Sequence, residues 1–267
     1  MKKLWLIAPL ICILAGCAGT KKTQQSAVQS STVIDGKLWS SLFQQRAAEY
    51  DALCLQAFNL AKMRVEQTIG QQTLRPRAII TDIDETFLDN SPYAVHQGLQ
   101  GKDYDQASWH DWTNRGIADT LTGALGFFRY AAANNFTIFY ITNREESERA
   151  GTLKNLQLFN FPFADNEHLI MRQSSSSKEP RRQEVAKKFE IFMLLGDNLA
   201  DFHDAFDKKT TEERGQNVQA FKEMFGQKFI VLPNPTYGGW EDAIYLNKRE
   251  WTSAQKDSLV KSAVKNY

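Results

Sequence analysis

Apolar positions along this chain follow two periods, and the switches between them outline helices alternating with strands. From about Gly36 to Gly70, Tyr50, Leu53, Cys54, Ala57, Phe58, Ala61 and Val65 recur at helical spacing. This predicts one long helix, or two separated near Arg46 to Glu49. Short unbroken apolar runs follow at Ala78-Ile79-Ile80, Phe136 to Ile141, Ile191 to Leu195 and Phe229 to Leu232, with His168 to Met171 a weaker candidate. Such runs suit strands buried on both faces, as in a parallel sheet. Helices are predicted from Thr122 to Asn134, from Glu145 to Phe159 and from Lys178 to about Phe189, with a charged helix before Phe229. The alternation predicts an α/β protein with a mostly parallel sheet. One region breaks the pattern. Phe87 to Tyr93 is a turn cluster, and the stretch beyond it to Trp112 reads as irregular. Trp109 and Trp112 in this polar stretch suit a lid or substrate wall, the alternative being that they pack the insertion against the helices.

The polar residues that end the apolar runs bring in candidate chemistry. Asp82 and Asp84 fall just past the first strand, where open α/β sheets place their ligands. With side chains alternating, the two aspartates lean one way and Ile83 the other. Carboxylates that close repel unless a cation or shared proton compensates. A divalent metal beside a phosphate is one reading, and an acidic turn with side-chain-to-backbone bonds the other. Thr142-Asn143-Arg144 ends the second run, and Gly196-Asp197-Asn198-Leu199-Ala200-Asp201 ends the third. The segment from Pro233 to Trp240 ends the last, with Trp240 a candidate for the core beneath that loop. Lys178 opens the helix before the third strand, beside Arg181, Arg182, Lys187 and Lys188, which taken alone reads as a solvated basic face.

The N-terminus carries a different signal. Met1-Lys2-Lys3 and the apolar run from Leu4 to Leu14 have the charge and core of a secretory signal, too short for a comfortable membrane span. The run ends in Leu14-Ala15-Gly16-Cys17, which looks like a bacterial lipobox, with residues 1–16 as signal and Cys17 as the lipidated residue. Ala18 after it resembles outer-membrane sorting. Residues 17–35 read as a flexible tether rich in Ser, Thr, Gln and Lys, reaching roughly 25 Å. The folded domain is expected over residues 36–267. Of three cysteines, Cys12 leaves with the signal and Cys17 is lipidated, so Cys54 has no disulfide partner and belongs to the core. At 42% hydrophobic content the chain can bury such a core without staples. The formal charge of +1 becomes −1 once Lys2 and Lys3 are lost, and no basic stripe points to nucleic acid.

Taken together, Asp82/Asp84, Thr142/Asn143, Lys178 and Asp197/Asp201, each at the end of a strand or the start of a helix, resemble the four motifs of haloacid dehalogenase (HAD) superfamily phosphohydrolases. The lipobox, DIDETFLDNSPY, ITNR, GDNLADF and PNPTYGGWE, in that order, resemble one branch, the class C acid phosphatases or lipoprotein e family of outer-membrane 5′-nucleotidases. The resemblance implies a HAD-like Rossmannoid sheet with a smaller helical subdomain built from N-terminal, post-DIDET and C-terminal segments. It implies phosphomonoester hydrolysis with Asp82 as nucleophile, Asp84 as general acid and base, and Thr142 and Asn143 at the phosphoryl oxygens. Lys178 would offset transition-state charge. Mg²⁺ would be held by Asp82, the Asp84 backbone carbonyl and Asp197, with Asp201 behind them holding waters or orienting Lys178. Trp109 and Tyr237 match positions that stack on the leaving group, which implies nucleoside or nicotinamide 5′-monophosphates as small-molecule substrates. The only other partner implied is the membrane, through the lipid, with homodimerisation left open. The alternative is a haem- or ligand-binding surface lipoprotein, although His96, His110, His168 and His203 show no axial pair.

Because the lipid would attach well upstream of the first catalytic strand, Cys17→Ser should leave intrinsic activity unchanged while the protein stays soluble or unprocessed. Fractionation of cells expressing the variant checks this, and normal processing with recovery in the outer membrane is the contrary result.

Overall fold

The computed structural model describes residues 31–267 except Arg249. The signal, the lipobox with Cys17 and most of the expected tether lie outside the described residues. The first helix, α1 (Thr32–Arg46), starts inside the stretch expected to be tether. Its N-cap Ser31 accepts the Ile34 amide, and Val33 and Ile34 are buried, so residues 32–35 are helix. A break at Ala47 separates α1 from α2 (Ala48–Glu66), which realises the two-helix alternative. Cys54 is fully buried on α2.

Five parallel strands form the sheet: β1 (Arg77–Thr81), β4 (Thr137–Ile141), β5 (Leu169–Ile170), β6 (Glu190–Gly196) and β7 (Phe229–Val231). Their spatial order is β5-β4-β1-β6-β7. From β1 the chain builds outward to one side and then returns to build the other. The carboxyl end of β1 is therefore the switch point, where such sheets leave a crevice. Alternation along the strands divides the core in two. Ile79, Ile138, Tyr140, Met193, Leu195 and Ile230 face one side; Ala78, Ile80, Phe139, Ile141, Leu194 and Phe229 face the other. The first side is covered by α2 and α5 (Ala124–Ala133) through Phe58, Ala61, Phe127, Phe128 and Ala131, and by Leu156 of α6 (Arg149–Leu158). The second is covered by Val185 of α7 (Glu179–Lys188) and by Phe202 in the loop after β6. The charged helix is α8 (Thr211–Ala220).

The stretch expected to be irregular is largely helical. Leu88–Asp89 (β2) and Asp119–Thr120 (β3) pair antiparallel and form the neck of an insertion that contains α3 (Ser91–Leu99) and α4 (Gln106–Arg115). Local capping explains what periodicity missed. Pro92 stands in the first turn of α3, and Asp105 caps α4 by accepting the Ser108 amide at 3.0 Å. Helix α4 packs closely on α6, where a Cβ on Gly151 would meet the Thr113 carbonyl at 2.4 Å. The insertion also packs on α1, which is joined by α9 (Gly239–Ile244) and α10 (Ser253–Ala263). Ion pairs bind these pieces: Lys37 to Asp103 at 2.8 Å and Glu241 at 3.2 Å, and Lys256 to Asp103 at 2.7 Å. Ser31 donates to Asp257 at 2.9 Å. Trp240, a candidate for the core, is instead 44% exposed because α9 turns its indole outward.

Phe128 is fully buried, with ring centres of Phe58, Phe87, Phe127, Tyr140 and Phe161 within 6.4 Å. Phe128→Ala should cost about 3–5 kcal/mol in unfolding free energy. Urea denaturation with an unchanged m-value checks this.

Candidate active site

The strand ends bring the expected residues into one crevice. Asp82 follows β1, and its amide donates to the Leu195 carbonyl of β6 at 3.0 Å, which fixes the start of the loop. The loop then curls tightly: Leu88 N donates to Ile83 O at 3.1 Å and Glu85 N to Leu88 O at 3.0 Å. Glu85 takes a left-handed conformation (φ 55°), unusual for a residue with a side chain. Its carboxylate compensates by accepting the Asn90 amide at 2.9 Å and the Tyr237 hydroxyl.

Asp82, Asp197 and Asp201 each offer a carboxylate oxygen, and these oxygens lie within 4.8 Å of one another. Lys178 is buried between two of them, contacting Asp82 and lying 2.7 Å from Asp201. Asp197 accepts from Thr86 Oγ1 at 3.1 Å and Asn234 Nδ2 at 2.8 Å. Asp201 folds back to accept the Asn198 amide at 3.0 Å, a geometry that requires Gly196, where a Cβ would meet the Asp201 side chain at 2.5 Å. Both Asp201 oxygens thus have protein donors. One of those donors is Lys178.

Charge in this crevice is unbalanced. Burial pushes Asp82 up to about 7, with Asp201 and Asp84 adding to the rise and Lys178 opposing it. Burial, with Asp201 and Asp82, also raises Asp197 well above the usual carboxylate range. Burial tends to lower Lys178, but Asp201 and Asp82 outweigh it and raise the ammonium. Three carboxylates around one ammonium form an all-oxygen donor set with net negative charge, which fits a hard divalent cation.

Asp84 lies outside that trio, held by Arg144 Nη2 at 2.7 Å and Asn90 Nδ2 at 2.9 Å. Thr142 is fully buried at the end of β4, and its hydroxyl accepts the Arg144 amide at 3.1 Å. The expected helix start beside it is absent: residues 142–145 are coil, a short 3₁₀ turn follows at Glu146–Glu148, and α6 begins only at Arg149. Asn143 is exposed and accepts Arg181 Nη2 at 2.6 Å. Arg181, read from sequence as a solvated neighbour of Lys178, is buried and also donates to the Thr142 carbonyl at 2.5 Å. It joins the β4 loop to the helix that carries Lys178.

The two tryptophans separate. Trp112 packs against the core and donates to Asn90 Oδ1 at 2.8 Å. Trp109 is half-buried, edge-on to Tyr93 with ring centres 5.0 Å apart, and its ring lies 5.8 Å from the Arg144 guanidinium. Trp109 through Arg144, and Tyr237 through Glu85, both reach the Asp84–Glu85 pair. The four histidines contact separate partners, namely Gln100, Glu145, Asp165 and Asp204. Sequence reasoning passed over Glu85, Asn90 and Arg144. Their signal was adjacency to motif residues, because each stands within six positions of an assigned one.

The model for the HAD superfamily, subfamily IIIB (acid phosphatase) matches residues 15–240. The chain belongs to that family. A class C acid phosphatase from Bacillus anthracis, solved with tungstate bound, superposes with a TM-score of 0.85 at 36% identity, covering 88% of this chain and 98% of that one. Another structure of the Bacillus anthracis class C enzyme gives the same score and identity and is covered to 99%. Among curated proteins, acid phosphatase 1 of Solanum lycopersicum is 30% identical over 166 residues, 59% of this chain and 57% of that protein. The stem 31 kDa glycoprotein of Glycine max is 26% identical over 164 residues, 59% of this chain and 58% of its own. The chain spans little more than half the length of these plant relatives.

A carboxyl held up by burial favours folding when protonated, so its contribution to stability is present at low pH and declines as pH rises from about 4 to about 7. A cation needs the ionised form. Divalent metal should therefore raise the melting temperature of chelator-treated protein more at pH 7.5 than at pH 5, and Asp197→Asn should shrink the rise at pH 7.5. Thermal melts with and without added Mg²⁺ check both.

Proposed function

We propose that the protein hydrolyses phosphomonoesters with Mg²⁺ through an aspartyl-phosphate, acting on nucleoside or nicotinamide 5′-monophosphates. The observation that carries this is Lys178 set between Asp82 and Asp201 with Asp197 beside them. Asp82 attacks phosphorus and displaces the alcohol, splitting one hard displacement into two easier ones. Asp84 protonates the departing oxygen and then takes a proton from the water that releases phosphate. Thr142 offers its hydroxyl hydrogen to a phosphoryl oxygen, and Asn143 borders the same loop. Lys178 offsets charge that develops at phosphorus. Asp82, Asp197 and the Asp84 carbonyl would hold Mg²⁺, which when bound screens the phosphate from the carboxylates. Tungstate, found in the Bacillus anthracis relative, is a tetrahedral oxyanion like phosphate, which supports an oxyanion site in this fold.

The aromatic rings supply the choice of substrate. Trp109 and Tyr237 border the acid, where a flat leaving group could lie against them. The lipobox-like segment supports a place on the outer membrane, lipidated at Cys17, where cleaving phosphate from a nucleotide yields a nucleoside freed of the phosphate's negative charge for uptake.

The test is kcat/KM for a nucleoside monophosphate and for glycerol phosphate. Asp82→Asn should abolish turnover of both. Trp109→Ala should cost roughly 5- to 150-fold on the nucleotide, the worth of one stack, and little on glycerol phosphate, which has no ring. Tyr237→Phe keeps the ring and should keep the nucleotide preference. Equal losses on the two substrates would make Trp109 a packing residue.

A further inference from the structure

Asp84 is held from one side. Its Oδ1 accepts Arg144 Nη2 at 2.7 Å, Arg144 Nε at 3.1 Å and Asn90 Nδ2 at 2.9 Å. Among the described residues, the other oxygen, Oδ2, is met by the shared Arg144 Nε at 3.2 Å. A carboxylate oxygen has two lone-pair directions, so Oδ1 is filled and Oδ2 is the oxygen left to exchange with a substrate.

Arg144 is itself immobilised. Its side chain is 1% exposed, and Nη1 donates to Thr152 Oγ1 at 3.0 Å. That hydroxyl in turn donates to the Glu148 carbonyl at 2.8 Å. The Arg144 amide and carbonyl are bonded to Thr142 Oγ1 and the Arg172 amide. Asn90 apart, the orientation of Asp84 is thus set from the β4 loop and α6 and not by its own loop. Neutralising the charge would need only an ammonium; a planar fork also fixes the plane of the carboxylate.

We propose that Arg144, aided by Asn90, is a positioning residue that turns Oδ2 of Asp84 toward the leaving-group oxygen, and so sets how basic a leaving group the enzyme accepts. The inference rests on the phosphatase reading above. In the first step an Asp82 oxygen bonds to phosphorus while the bond from phosphorus to the leaving oxygen breaks. That oxygen keeps the electron pair and takes the proton from Oδ2. In the second step water gives a proton to Oδ2 and its oxygen bonds to phosphorus. The acyl-phosphate P–O bond breaks, which frees phosphate and restores the Asp82 carboxylate. An alkoxide cannot leave readily without that proton, whereas p-nitrophenolate can.

The experiment compares kcat/KM for glycerol phosphate and p-nitrophenyl phosphate in wild type, Arg144→Lys and Thr152→Val. Arg144→Lys keeps the charge and loses the fork. It should lose on the order of 30- to 100-fold on glycerol phosphate, up to the lower end of what proton transfer contributes because the acid is misaligned and not removed, and less than about 3-fold on p-nitrophenyl phosphate. Thr152→Val removes the anchor of Arg144 and should show the same selectivity to a smaller extent. If Arg144→Lys fails to fold, the ratio of losses in Thr152→Val decides. Equal losses on both substrates, or no loss on glycerol phosphate, would overturn the positioning role. A wild-type protein inert on both substrates would instead refute the phosphatase reading, and this inference with it.

Discussion

Repulsion among carboxylates at the end of β1 and β6 is the constraint around which the site is built. Asp82, Asp197 and Asp201 converge on the space of a single ion, where burial makes every uncompensated charge expensive. Lys178 supplies one positive charge and a metal would supply the rest. Bringing the lysine there requires α7 to begin at the mouth of the crevice, which Arg181 secures by gripping the β4 loop. Bringing Asp201 there requires a residue without a side chain at Gly196. The same concentration of negative charge is what a phosphate ester must approach, so substrate and cation depend on one another electrostatically.

The strands were legible because strands buried on both faces leave unbroken apolar runs, but nothing in those runs gave the spatial order β5-β4-β1-β6-β7. The ends of those runs made Asp82, Asp84, Thr142 and Asp197 candidates before any contact was known, whereas Lys178, alone a residue of a solvated basic face, was singled out by the family resemblance. The insertion was not legible. Helices α3 and α4 are short, and their stability comes from Asp105, Pro92 and packing across Gly151, which periodicity does not register. Arg181 was misread because a basic residue in a charged helix gives no local sign that it points inward. Glu85 and Arg144 escaped for a similar reason: their partners Tyr237 and Asp84 are 152 and 60 residues away.

Two walls meet at the DIDET loop. Arg144 touches both the insertion's Trp109 and Asp84, and Glu85 ties in Tyr237 from the loop after β7. Groups that would recognise the leaving group are thereby wired to the group that would protonate it. Membership of the acid phosphatase family accounts for the motif residues. These cross-links explain how the motif loop is held in a strained turn that it would not keep alone.

The ring of ion pairs that closes the helical subdomain has a consequence for how the chain acquires its structure. Ser31 is bonded to Asp257, 226 positions later, and Asp103 is shared between Lys37 and Lys256. Contacts of such separation carry a loop-closure cost that must be met before they reward folding, although it grows only slowly with length. The sheet can assemble once β7 has emerged and α1 can pack on α3, but the bonds from α1 to α10 form only when α10 arrives. During synthesis α1 and the insertion that carries Trp109 can therefore pack on each other first, and only the Ser31 and Asp103 bonds must wait for nearly the last residues. The last helix fastens the wall beside the crevice and does not build it.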